Sequence, residues 1–430
     1  MLTNFSDVAL TVPKATVLGI AEEISESIVD KINKEGQFSS NAPTESRNGE
    51  KNKELFHKLL KGKLDHLPPH ERQLIEPVLI KYAHVFHDEE LNDFKDTNVV
   101  EYEIPVGDTT PISRPPYKTP YALRDEMDFQ VKKMLHQGVI RESDSPWSAP
   151  AILVPKKSLD GKPKYRFCVD FRALNAVTRF NPYSLPAMDE ATSTLYGSKY
   201  FSVLDCFSGF FQVNMKEAHR ERAAFSVPSG HYEFTRLPFG LANSPANFQR
   251  LMDTVLKNLV GAECYIYLDD CVIFSNTAEE HARRLEHVLQ RFDQANSSYT
   301  LGNARSRNQV KYLGFELSDK GVSATADKVE AIKGYPKPKN ARDVRAFIGL
   351  ASFYRRLVPN FVETAKPLIA LTRKNQEFAW GPSQQEAFDS LKRKLSTTPV
   401  LAFPNFSLPF ILTTDASKVA VAAVLSQVQE

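Results

Sequence analysis

The chain has 430 residues, 42% of them hydrophobic and 25% charged, which is enough for about two to four domains with real cores. Its formal charge of +2, from 54 Lys and Arg against 52 Asp and Glu, is too small to argue for a polyanionic partner by itself, so any such signal must be local. Four cysteines without CxxC or metal-finger spacing exclude a disulfide scaffold or zinc finger, and no uncharged apolar run approaches the ~18 residues that span a bilayer, so no membrane role is expected.

In chain order, Val8–Val12 and Ala15–Ile20 read as short strands, Glu22–Ile32 as an amphipathic helix and Lys34–Lys53, rich in Ser, Asn, Glu and Lys, as a flexible linker. Helical apolar spacing resumes over Glu54–Lys61 and Pro69–Phe86, with Leu74, Val78, Leu79 and Tyr82 on one face. Pro111, Pro115, Pro116 and Pro120 make an extended lead-in to a helix over Arg124–Gln137 that Gly138 ends. Ala151–Val154 and Tyr165–Val169 then read as a hairpin turned at Asp160-Gly161. It is loaded with Lys156, Lys157, Lys162, Lys164 and Arg166, and Arg172 follows. Such a cluster is either a solvated face or a clamp on a triphosphate, for which Lys is a point charge and Arg a planar two-pronged donor.

Tyr200–Asp205 alternates as a strand and ends in an acid. Leu237–Gly240 is a loop able to approach a flat ligand; Ser244 as N-cap and Pro245 at the first helical position then start a helix that buries Phe248, Met252, Val255 and Leu259. Cys264–Phe274 consists of two β-type runs closing on Asp269-Asp270. An Asp pair between strands is usually a solvated turn. A third carboxylate, Asp205, at the end of a neighbouring strand changes that reading, because three gathered acids repel one another unless cations sit between them. Oxygen ligands select Mg2+ or Mn2+, and two such ions would clamp the attacking and leaving oxygens of an in-line phosphoryl displacement.

Downstream, residues 301–356 hold 12 Lys or Arg against 5 Asp or Glu, with Phe347, Phe353 and Tyr354 among Arg345, Arg355 and Arg356. A salt-sensitive contact with a nucleic-acid backbone is the expectation. Beyond Pro359 the pattern is helical again, and Ser383–Glu386 reads as a capping box ahead of Ala387, Phe388, Leu391 and Leu395.

Several motifs in one order carry a resemblance: Asp205 with Phe210 five residues on, Leu237-Pro238-Phe239-Gly240 with Ser244-Pro245, and Tyr267-Leu268-Asp269-Asp270. Ser145–Pro150, Arg166–Arg172 with Leu174-Asn175, Tyr312-Leu313-Gly314 and Phe347–Leu350 support it. Together they resemble the reverse transcriptase region of the Pol polyprotein of gypsy-type LTR retrotransposons, over about residues 96–430.

The resemblance implies an α+β right-hand polymerase, its antiparallel palm sheet packed on helices, followed by a truncated α/β start of RNase H. It divides the chain into a post-protease segment (1–33), the linker (34–53), a helical lead-in (54–95), fingers (96–185), palm (186–295), thumb (296–358), connection (359–404) and the RNase H-like start (405–430). It makes Asp205, Asp269 and Asp270 the catalytic acids holding two Mg2+ or Mn2+ ions, and Phe210 the gate against a ribose 2′-hydroxyl. Phe239 and Gly240 would line the nucleotide pocket, Arg166 with Lys156 or Lys157 would hold the triphosphate, and Tyr312, Leu313 and Gly314 would grip the primer end. Asp415 would be the first RNase H acid; the remaining acids of that site are absent, so no RNase H activity is expected of this polypeptide alone. The implied partners are an RNA or DNA template with its primer, dNTPs, and other Pol and Gag products of the element, in the cytoplasm or a virus-like particle, with access to the nucleus open.

Two stretches bear on a rival reading. Leu301–Arg307 stands where relatives have a Lys-Cys pair and a following Phe. Val12–Ala21 is similar to the segment after the retropepsin domain, whose Asp-Thr/Ser-Gly triplet does not occur, so a fragment lacking the protease is expected. The rival is a catalytically silent remnant that binds nucleic acid or a host protein; a metal-dependent nuclease is disfavoured because Asp415 stands alone.

Overall fold

A computed structural model describes residues 60, 64–65, 67–86, 96–156, 163–186, 195–300, 309–374, 376–397, 401–416 and 421–428. The strands and helix expected before residue 54, the Asp160-Gly161 turn, Lys157 and the 301–307 stretch lie outside the described residues. Two units are distinguished, and Pro404–Glu430 belongs to a different one from Lys51–Phe403. Among the described residues, no helix is long and apolar enough to cross a membrane.

The centre of the larger unit is a four-stranded antiparallel sheet, ordered Tyr299–Thr300, Tyr200–Cys206, Asp270–Ser275, Cys264–Tyr267. Its strands are apolar on both faces because both faces are covered. Leu204, Cys206, Cys264, Ile266, Cys271 and Ile273 pack toward Phe248, Leu285, Val288, Leu289 and Phe292 of helices Ser244–Val255 and Ala278–Gln294. The alternate residues Phe201, Val203, Tyr265, Val272 and Phe274 share a second cluster with Val310, Tyr312, Leu317 and Val322 of the three-stranded sheet Gln309–Tyr312, Phe315–Ser318, Gly321–Ala324. This is the period of two expected of a strand, repeated across neighbours in register.

A five-stranded sheet, ordered Ile140–Glu142, Gly230–Phe234, Ala224–Val227, Ala149–Lys156, Lys164–Val169, takes three strands from before the central strand Tyr200–Cys206 and two from after it. Its outer pair is the basic hairpin, with Val154 opposite Arg166 and Lys156 opposite Lys164. Helices Ala326–Lys333, Ala341–Phe353, Phe361–Ala370 and Pro382–Ser396 bury one common core of Ile332, Val344, Phe347, Leu368, Phe388 and Leu391, so the expected line between residues 358 and 359 runs through packed side chains. Helix Pro69–Lys81 packs against Ala278–Gln294 through Ile75 and Leu79, Lys81 reaches Glu286 at 2.6 Å, and Phe86 bridges to Tyr299. Its buried face is thus Ile75, Leu79 and Tyr82, while the expected Leu74 and Val78 are only partly buried.

Two helix starts differ from the sequence reading. Asn243, not Ser244, is the N-cap; Ser244 is already helical and buried, and its hydroxyl donates back to the Pro238 carbonyl at 3.2 Å, closing the loop before it. Only half of the expected capping box forms, two residues early: Gly381 N–H donates to Gln384 Oε1 at 3.1 Å, glycine has no side chain to return the bond, and Pro382 at the first helical position fixes the start there. In the smaller unit, Ile411–Ala416 pairs antiparallel with Val421–Ser426, and Asp415 stands opposite Ala422.

Candidate active site

The three acids meet at one end of the central sheet. Asp205 and Asp270 are direct partners across antiparallel strands. Asp269 lies with Leu268 in the two-residue turn that joins Tyr267 to Asp270. Leu268 has φ +53, a left-handed conformation that a branched side chain adopts at a cost of order 1–3 kcal/mol. Gln249, fully buried in the neighbouring helix, holds that turn: its Oε1 accepts from Leu268 N–H at 2.8 Å while its amide donates to Asp253 Oδ1 (2.9 Å) and Ile266 O (3.3 Å).

Each acid residue is fixed by its carbonyl. The Asp205 oxygen accepts from Thr300 Oγ1 (3.2 Å), that of Asp269 from Cys206 N–H (2.9 Å) and that of Asp270 from Tyr312 O–H (3.4 Å). The carboxylates are left for something else. Among the described residues none forms an ion pair with them, and Asp269 Oδ1 is buried with no hydrogen-bond partner. Burial and the charges of Asp205 and Asp270 push the Asp269 carboxyl up to about 6. Burial also raises Asp205, and burial with Asp205 raises Asp270. These are the shifts that a bound cation would reverse.

The donor set fits a hard divalent cation: oxygen only, mutually repelling, with an orphaned buried oxygen. Among the described residues no three His, Cys, Asp or Glu side chains are placed to hold one ion together, so the three acids do not converge on a single point. An open set suits Mg2+, which keeps waters and is bound through one or two carboxylates plus substrate phosphate oxygens.

Beside the acids, Ser208 has φ +46, and a Cβ on Gly209 would sit 2.7 Å from the Phe248 ring and 3.3 Å from Asp269 Oδ1. Glycine is required there for the chain to pass the acid closely. Phe210 is buried, its ring 4.9 Å from Phe239 and 5.3 Å, edge-on, from Phe248. Phe239 is 51% exposed, and its neighbour Gly240 turns at φ +93. Asn175 clamps this loop from both sides, donating to Gly240 O (2.8 Å) and accepting from Ala242 N–H (2.9 Å). Tyr312 ends its strand, and Leu313-Gly314, both at positive φ, make the tight turn to Phe315; the Gly314 carbonyl accepts from Tyr354 O–H at 3.0 Å.

The structure therefore brings Asp205, Asp269, Asp270, Phe210 and Tyr312 together and joins Phe239 and Gly240 to them through ring contacts. Lys156 and Arg166 are exposed on the other sheet. Arg172 is bidentate on Asp170 at 2.6 and 2.8 Å, and this guanidinium, with the Tyr117 hydroxyl, holds the Asp170 carboxyl well below the usual range. Asp415 lies on its strand in the other unit. Sequence reasoning assigned no role to Gln249, Asn175 or Gly209, although Asn175 stands in the Leu174-Asn175 motif and Gly209 in the Ser-Gly pair following the Asp205 strand.

Compared with known proteins, residues 154–317 match the family described as "Reverse transcriptase (RNA-dependent DNA polymerase)" and residues 380–430 the "RNase H-like domain found in reverse transcriptase". The chain is similar to the retrovirus-related Pol polyprotein from transposon 297 of Drosophila melanogaster, 37% identical over 85% of this chain and 35% of that protein. It is also similar to that from transposon gypsy of the same fly (38%; 74% and 32%) and to the transposon Tf2-3 polyprotein of Schizosaccharomyces pombe (31%; 72% and 23%). It spans about a third or less of these relatives. In fold it is similar to the foamy viral protease-reverse transcriptase in complex with double-stranded DNA, at TM-score 0.74 and 24% identity over 90% of this chain and 70% of that one. The complex of that enzyme with an RNA/DNA hybrid gives TM-score 0.73 at 23% identity, over 93% and 55%.

Proposed function

Residues 154–317 belong to the reverse transcriptase family and residues 380–430 to the RNase H-like family found with it, and on that premise we propose that this chain is an RNA-directed DNA polymerase of an LTR retrotransposon, adding dNTPs to a primer 3′-hydroxyl. The observation that carries the reading is the pairing of Asp205 with Asp270 beside the unpartnered Oδ1 of Asp269. Residues 96–185 act as fingers, 186–295 as palm and 296–358 as thumb.

Asp205 and Asp269 would hold two Mg2+ or Mn2+ ions, with Asp270 as the supporting acid. Bound there, the ions would lower the pKa of the primer hydroxyl and neutralise charge on the departing pyrophosphate. The protein's own part is placement. Phe210, backed by Phe248, presents a ring where a ribose 2′-hydroxyl would sit and excludes it by volume. Phe239 and Gly240 line the nucleotide pocket, Arg166 with Lys156 or Lys157 takes the triphosphate, and the Tyr312–Gly314 turn carries the primer end. Base pairing selects the nucleotide, so the template, RNA or DNA, is held through phosphate, sugar and shape. The foamy viral relatives of this fold were solved with such duplexes. Other Pol and Gag products are the remaining partners, in the cytoplasm or a particle.

The test is Mg2+-dependent extension of a DNA primer on an RNA template by the whole chain, beside Asp269→Asn. Incorporation by the parent and a loss of roughly 10³-fold or more in the variant is expected. A folded parent that binds primer–template and incorporates nothing would instead establish the silent remnant.

A further inference from the structure

The two strands that carry the acids are joined by one side chain the proposed chemistry does not use. His281, in the first turn of helix Ala278–Gln294, is fully buried. Its Nε2 lies 2.8 Å from Ser202 Oγ and its Nδ1 3.0 Å from Ser275 Oγ. Ser202 stands three residues before Asp205 on one strand, and Ser275 closes the strand that Asp270 opens. Ser202 faces Ile273 and Tyr200 faces Ser275, so the imidazole spans both strands diagonally, toward the end away from the carboxylates.

The proton roles follow from one acceptor. Ser275 Oγ also lies 3.0 Å from the Thr277 carbonyl, which only accepts. Its hydroxyl proton goes there, so Oγ accepts from Nδ1–H, and the Nε2 of a neutral ring accepts from the Ser202 hydroxyl. A single line of donors runs from Ser202 through His281 and Ser275 to Thr277. Burial pushes the His281 imidazole down to about 3, which keeps the ring neutral as that line requires. An imidazolium would strand the Ser202 proton.

We infer that His281 is a positioning residue, a pin through both acid-bearing strands that sets the register in which Asp205 stands opposite Asp270. The inference deepens the polymerase reading and rests on it. A backbone ladder repeats every two residues and by itself admits a slip of about 6.6 Å, which would part the two carboxylates. A ring bonded to one named residue in each strand admits none.

The test uses the whole chain with Ser202→Ala, which removes one hydroxyl from the line. Primer-extension kcat is expected to fall about tenfold or more with KM for primer–template held within about twofold. Amide hydrogen exchange is expected to quicken in residues 200–206 and 270–275 and not in helix Ala341–Phe353. His281→Leu should repeat both effects, and His281→Gln, whose amide oxygen can accept from Ser202, should recover part of kcat. Equal kcat and exchange in Ser202→Ala and parent, or faster exchange spread evenly over the chain, would overturn the pin. A parent that extends no primer overturns the polymerase reading alone, and the exchange comparison still decides the pin.

Discussion

The acid-bearing hairpin and the basic hairpin are both antiparallel strand pairs, yet they hold their charges in opposite ways. Asp269 and Asp270 sit on a hairpin covered on both faces, and each acid residue's carbonyl is tied down. Lys156 and Arg166 stand exposed on an outer pair of strands, with Ile152 and Val154 also 39–40% exposed beside them. The first arrangement stores repulsion in a rigid frame; the second leaves long cations extended into solvent. Charge that must be placed is built into a core, and charge that must only arrive can wait on a surface.

Four measurements would break or sharpen that contrast. Asp205→Asn should lower extension roughly 10³-fold or more with substrate affinity little changed; a variant that loses only affinity would show the acids are not the rigid element. If Phe210 is the proposed gate, Phe210→Ala should raise ribonucleotide incorporation relative to deoxynucleotide on the order of 10²-fold, read from kcat/KM for paired substrates. Arg166→Ala should raise KM for dNTP about tenfold, the worth of one charge-assisted hydrogen bond. Its thermal midpoint should match the parent, because an exposed side chain is lost.

The smallest effect concerns stability in chelator. Asp269 is raised to about 6 in the folded chain. The folded state therefore binds the extra proton between about pH 4 and pH 6, so stability should fall as pH rises through that window. Asp269→Asn should flatten the slope and, at neutral pH, stabilise by on the order of 1 kcal/mol once solvent screening is allowed for. Denaturant melts across pH would show it, and an unchanged slope would mean the acids do not strain one another.

The acids, the loop before Ser244 and the basic hairpin were legible because each is written locally, in β-type runs, turn residues and short motifs. The supports were not. Gln249 meets Leu268 19 residues away, Asn175 meets Gly240 65 away and His281 meets Ser202 79 away, and no local pattern marks a residue whose partner lies on another element. Tyr200–Asp205 reads as an alternating strand, while the burial of Phe201–Leu204 on both faces depends on the Gln309–Ala324 sheet covering the second one. The two shifted starts differ in cause: Pro382 at the first helical position fixes the start after Gly381, whereas Ser244 turns helical because its hydroxyl donates to the Pro238 carbonyl, which leaves Pro245 at the second position.

The packing of helix Pro69–Lys81 on Ala278–Gln294 also sets a schedule. Lys81 and its partner Glu286 are separated by 205 residues. At a synthesis rate of 5–20 residues per second, the apolar face of Ile75 and Leu79 waits roughly 10 to 40 s for the surface that covers it. Closure of the palm is thus a long-range event of high contact order, and the nascent chain must remain soluble with this helix unpartnered until residues beyond 290 have emerged.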